Sequence, residues 1–188
     1  MITAYIDFKS LDCFLAISSI LELADDCETP VSWQPYRSKE RAIPTQVANE
    51  SVTQTHHRVR AASERRLQRH YARLRGLDID PSRGQIDTSA ALRWLASLEG
   101  DTSSFVSRLF TAHWMDRTDI NDPTFLQELT TQCGLRRTGH AVDLSSIEHK
   151  AEERGLFDAP TFFIEGQMFM GRAHIPLMRQ LLADGDDR

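Results

Sequence analysis

Apolar and polar residues alternate along the first segment, Ile2-Thr3-Ala4-Tyr5-Ile6-Asp7-Phe8. β-Branched and aromatic types are enriched there, and the two-residue period predicts a core strand over 2–8. The period changes after Lys9-Ser10. Phe14, Leu15, Ile17, Ile20, Leu21, Leu23 and Ala24 fall around most of a helical wheel. This predicts a largely buried helix over 11–25, with Ser10 as its N-cap. Thr29-Pro30 breaks the chain, and 31–36 reads as a second strand. A crossover helix of this length predicts that the two strands run parallel.

From 39 to 135 the strand pattern is lost. An arginine-rich helix is predicted over 57–75, carrying Val59, Ala62, Leu67, Tyr71 and Leu74 near helical spacing and ended by Gly76. Two amphipathic helices follow over 88–98 and 103–114, and Asp122-Pro123 opens another that runs to Cys133-Gly134. Beyond Asp143, 145–154 is helical and stops at Gly155. The stretch from Ala159 to Gly171 reads as strand, Glu165-Gly166 turn, strand. A last helix places Ile175, Met178, Leu181 and Leu182 on one side. The order is β-α-β, a helical insertion, then α-β-β-α. The expected division is a discontinuous α/β domain over 1–38 and 136–188, with an inserted helical domain over 39–135.

With 188 residues, 40% of them hydrophobic, the chain has the material for one core and is not a disordered tail. It has no run of ~18 apolar residues, so no helical membrane span is expected. Its 22 basic and 27 acidic side chains give a net charge of −5, which offers no general pull toward nucleic acid or anionic lipid. The arginines between Arg58 and Arg75 read as a solvated face. Met1 leads straight into the first strand without a charged and apolar leader, so the expected location is cytoplasmic. Cys13, Cys27 and Cys133 match no metal-ligand spacing, the histidines are scattered, and no metal is expected.

Two places carry candidate chemistry. One is Asp7-Phe8-Lys9-Ser10-Leu11-Asp12-Cys13, where the first strand turns into the first helix. Ligands of open parallel sheets bind off the carboxyl ends of the strands, where helix N-termini present free N–H groups. The other is Ala159-Pro160, since a proline that opens a strand is a candidate for the cis form. The residue before it would then offer its main chain to an extended ligand.

Tyr5-Ile6-Asp7-Phe8-Lys9-Ser10, the block from Gly155 to Phe162, and Met168-Phe169-Met170-Gly171 resemble 2-hydroxychromene-2-carboxylate isomerases and kappa-class glutathione transferases. Ala112-His113-Trp114 and Asp119-Ile120-Asn121-Asp122-Pro123 are similar to the helical insert of the same group, which lies within the DsbA-like thioredoxin superfamily. The resemblance implies a thioredoxin-like fold with a helical domain inserted in its middle. It also implies a glutathione site and a small aromatic or unsaturated acid as substrate. Ser10 would hold the glutathione sulfur as thiolate, and Ala159 with cis-Pro160 would pair with the tripeptide backbone. Gly171, Arg172, Ala173 and His174 would grip the γ-glutamyl end. A homodimer is also implied.

Three departures from the family's pattern stand out. Ser10-Leu11-Asp12-Cys13 lacks the usual proline and aromatic residue, and Asp12 sets a negative charge about one turn from the expected thiolate. Lys9 is the candidate to offset it. Ala173 stands where the family has an aspartate, which removes a charge-assisted hydrogen bond of ~1.5–3 kcal/mol. Ser10 also rules out a disulfide between positions 10 and 13, so a redox role would fall to Cys13 alone. Two alternatives therefore stand beside the isomerase or transferase: a DsbA-like oxidoreductase using Cys13, and a non-catalytic protein that binds a partner in the same groove. Trp114 is expected to fill the core between the two parts of the chain.

Overall fold

The computed structural model describes residues 1–38 and 49–185, without the side chains at 81, 82, 184 and 185. The expected start of the insertion, residue 39, lies outside them. The first strand, β1 (Ile2–Ile6), and the second, β2 (Val31–Pro35), are joined by α1 (Leu11–Asp26) and run parallel, Ile2 facing Val31 and Ile6 facing Pro35. Near the other end, β5 (Thr161–Ile164) and β6 (Gln167–Met170) form the hairpin. Its turn needs two left-handed residues, and Glu165 and Gly166 both take positive φ, at 50° and 83°. β5 lies antiparallel beside β1, which completes a four-stranded sheet in the order β2-β1-β5-β6. Helix α7 (Ile175–Gly185) follows and packs against α1 and β5. The layout is the α/β sheet with a helical insertion that the patterning predicts.

The insertion contributes α2 (Val52–Leu74), α3 (Ser89–Ala96), α4 (Ser103–Trp114) and α5 (Pro123–Gln132), and α6 (Leu144–Glu153) returns the chain to the sheet. Helix α2 begins five residues before the predicted start. Ser51 accepts from the Gln54 N–H while the Gln54 side chain accepts from the Ser51 N–H, a reciprocal cap that fixes the first turn. Helix α3 ends at Ala96, two residues early, because Leu98 and Glu99 leave it to pair as β3 with β4 (Arg136–Arg137). The expectation of no strand between 39 and 135 is corrected to that extent; two residues are too few to carry a period.

Trp114 locks the two parts together. It is 2% exposed, its Nε1–H donates to the Phe8 carbonyl at 3.0 Å, and its ring stacks on Phe14. Phe8 in turn meets Phe110 of α4, and Trp33 of β2 donates to the Ser103 hydroxyl at the start of that helix. Trp114 thus fills the core between the sheet and the insertion. No helix among the described residues is long and apolar enough to cross a membrane.

Candidate functional site

The tip of α1 is held from below by a buried carboxylate. Asp7 is fully buried at the end of β1. The Thr88 hydroxyl and the Lys9 N–H donate to its Oδ1; the Ser38 N–H and hydroxyl donate to its Oδ2. One side chain therefore ties together the strand end, the chain leaving β2 and the cap of α3. Burial pushes the Asp7 carboxyl above its ordinary value, against the pull of the Thr88 and Ser38 bonds. The Ser10 N–H donates to the Asp7 carbonyl at 3.0 Å, and the 3-10 turn Pro81–Gln85 closes over the same place. A Cβ on Gly84 would lie 3.3 Å from the Lys9 carbonyl oxygen, a tight contact that the backbone would have to relieve by a few tenths of an ångström.

Ser10 caps α1 in extended conformation. Its Oγ accepts from the Cys13 N–H at 3.3 Å, and its hydroxyl donates toward the Ala159 carbonyl across 3.5 Å, a long bond. The Ala159–Pro160 peptide is cis, and the Gly171 N–H donates to the Pro160 carbonyl at 2.8 Å. Three chain segments remote in sequence (the α1 tip, the turn before β5 and the turn after β6) thereby converge. Both main-chain groups of Ala159 already have internal partners: its carbonyl faces Ser10, and its N–H donates to the Asp158 carboxylate at 2.9 Å. A carbonyl oxygen has a second lone pair for a ligand, whereas the N–H must exchange partners.

Several charges surround the tip of α1. The Lys9 charge acts on Asp7 and on Asp87, which is held low first by its bonds from Ser89 and then by Lys9. Asp12 is met from α2, where Gln68 donates to its Oδ2 at 2.8 Å. Arg172 lies with its guanidinium carbon 3.8 Å above the Tyr71 ring of the same helix. Burial lowers the Arg172 pKa while the field of Asp12 raises it, so the cation and the carboxylate act on each other. Gly171 takes φ of 69°, which turns the chain toward Arg172. Ala173 and His174 are exposed; His174 sets its ring against Phe169, and neither bonds to Ser10 or Ala159.

Cys13 lies on the inner side of α1 and is fully buried, its sulfur accepting from the Asp7 N–H at 3.5 Å. Burial pushes its thiol far above the ordinary cysteine value, and Asp7 and Asp12 add to the effect. Among the described residues no group of three or more His, Cys, Asp or Glu side chains could hold a metal ion. Gln68, Tyr71 and Asp7 carry no role in the sequence reading. Gln68, Tyr71 and Arg75 do share one helical face at i, i+3 and i+7, and Asp7 is an acid inside an apolar strand; those were the available signals.

A DsbA-like thioredoxin domain matches residues 1–183. The chain belongs to the DsbA-like thioredoxin family. Comparison by sequence with curated proteins gives no match. Among solved structures, the fold is similar to 2-hydroxychromene-2-carboxylate isomerase, at 16% identity and a TM-score of 0.62, covering 97% of this chain and 94% of that one. It is also similar to the cytosolic disulfide reductase DsbM from Pseudomonas aeruginosa with GSH, at 17% identity and a TM-score of 0.56, covering 100% and 99%. A second structure of that reductase gives 16%, 0.54, 98% and 97%. At these identities the likeness is one of fold.

Proposed function

We propose that this family member is a glutathione-dependent isomerase or transferase acting on a small aromatic or unsaturated acid, with Ser10 as the residue that holds the glutathione sulfur. The observation that carries this reading is the Ser10 hydroxyl, placed on the N-terminus of α1 and directed at the cis-proline turn. The first-turn N–H groups of α1 add positive potential at the same point. When bound, glutathione would supply a thiolate nucleophile that adds to and later leaves an unsaturated carbon. Ser10 would donate its proton to that sulfur in place of the distant Ala159 carbonyl, and Ala159 would align the peptide backbone. Arg172, braced on Tyr71, is suited to a ligand carboxylate; Asp12 beside it offers the opposite charge where Ala173 offers none.

The fit is supported by a fold neighbour whose structure is described with GSH, and a cytoplasmic setting by that neighbour being a cytosolic protein. A redox cycle on Cys13 is disfavoured by its burial and its raised thiol pKa. A non-catalytic binding protein has no observation of its own in its favour.

Calorimetry with reduced glutathione tests the proposal. Binding that weakens roughly tenfold or more in Ser10→Ala, the worth of a charge-assisted hydrogen bond, is the expected result. No heat of binding, or equal affinity in the variant, would contradict it. Reduction of a small disulfide that disappears in Cys13→Ala would instead favour the oxidoreductase.

A further inference from the structure

Helix α2 carries six arginines and one acid, Glu64, a net charge of +5. The chain as a whole carries −5, which leaves −10 on everything else. Patterning alone reads these arginines as a solvated face, but their pairing divides them into two sets. Arg58 is bonded to Glu50 and Arg60 to Glu64. Arg65, Arg66, Arg69 and Arg73 are exposed and meet no carboxylate or other acceptor among the described residues. Arg66, Arg69, His70 and Arg73, at i, i+3, i+4 and i+7, line one open cavity of about 300 Å³. At about 100° per residue, Arg66 and His70 each stand ~160° around the helix from Gln68, so the cavity faces away from the Asp12 and Ser10 side.

Like charges three and four residues apart repel, and the one acid of the helix is already taken by Arg60, so nothing within α2 relieves this stripe. An anion laid across it would. The stripe also selects the kind of anion. Three guanidiniums within eight residues span ~10 Å of helix, and each forks onto two oxygens of one oxyanion. Matching that charge over that length takes two or three phosphoryl groups joined in a row; a lone carboxylate falls short. No apolar or aromatic side chain lines the cavity. A bilayer anchor needs the first, and a single nucleic-acid strand stacks on the second.

We propose that the outer face of α2 binds a compact anion of two or more linked phosphoryl groups, held by Arg66, Arg69 and Arg73. The inference is independent of the glutathione site. Calorimetry of the full chain with inorganic tripolyphosphate tests it, beside Arg66→Gln/Arg69→Gln/Arg73→Gln. These side chains are exposed and glutamine suits a helix, so the variant keeps its fold, which circular dichroism checks. The expected result is micromolar binding that weakens roughly tenfold or more in the variant and falls as salt is raised from ~20 to ~150 mM. Tripolyphosphate should also slow amide exchange in α2 of the parent chain and not of the variant. No binding up to roughly millimolar concentration, or equal affinity in the folded variant, would overturn the proposal. So would citrate binding as tightly as tripolyphosphate, which would reduce the stripe to bare positive charge. Binding of anionic vesicles or of a single-stranded oligonucleotide, with none of tripolyphosphate, would overturn it as well and assign the face to a macromolecule.

Discussion

His113 shows how a single buried ring adds a pH dependence to the stability of the fold. It is fully buried on α4, with Nδ1 facing an Arg83 guanidinium N–H and Nε2 facing the Arg83 carbonyl. Those partners require a neutral ring that accepts at Nδ1 and donates at Nε2. Burial, with the Arg83 charge adding to it, pulls the pKa from 6.5 down to about 4. The unfolded chain thus binds the proton more tightly, and this site's contribution to stability is full above 6.5 and is lost as pH falls toward 4. Chemical denaturation should show that loss over this window, and His113→Gln should flatten the window's slope; equal slopes would contradict the assignment. Asp7 makes the complementary case for hydrogen bonding. An amide at position 7 can accept on only one side, so Asp7→Asn leaves either the Lys9 or the Ser38 N–H without its acceptor. The expected loss is about 1–3 kcal/mol of unfolding free energy, and an unchanged denaturation midpoint would contradict it.

Helix α2 is the element whose hold on the molecule is weakest. Of its 23 residues only Ala72 is buried, while Val59, Leu67 and Leu74 are more than half exposed. What attaches it is polar: Gln68 to Asp12, Arg75 to the Leu15 carbonyl and the Ser19 hydroxyl, and Tyr71 beneath Arg172. Elements held by few apolar contacts open at low free energy. Amide exchange in α2 should therefore be faster than in α1 or β1, and Gln68→Ala should speed it further around residues 65–72. Protection equal to that of β1 would refute this. The sequence located such elements unevenly, for physical reasons. Helix α1 and the hairpin could be read almost to the residue, since cap, apolar period and turn chemistry are local. Helix α2 was recognised by its spacing but begun too late, because its Ser51–Gln54 cap lies beyond the apolar period. The β3–β4 ladder was not anticipated, being fixed by a partner about 40 residues away.

In the whole molecule, the candidate site exists because the sheet brings together segments separated by nearly 150 residues. Ser10 and Pro160 could be picked out individually, since an N-cap and a strand-opening proline are local signals. The partners of Asp12 could not: the fold supplies Gln68 and Arg172 from segments far along the chain. Trp114 is the brace between the insertion and the sheet, and Trp114→Phe removes the donor that Nε1–H supplies to the Phe8 carbonyl, the only one among the described residues. A loss of about 1–3 kcal/mol in unfolding free energy is expected, and wild-type stability would argue against that role.

Ultraviolet titration of the glutathione thiol bound to the protein bears most directly on the role of Ser10. The account predicts a thiolate that forms well below the free-thiol pKa of ~8.5 and returns toward that value in Ser10→Ala. A bound thiol that titrates like free glutathione, or a depressed pKa that persists without the Ser10 hydroxyl, would contradict it.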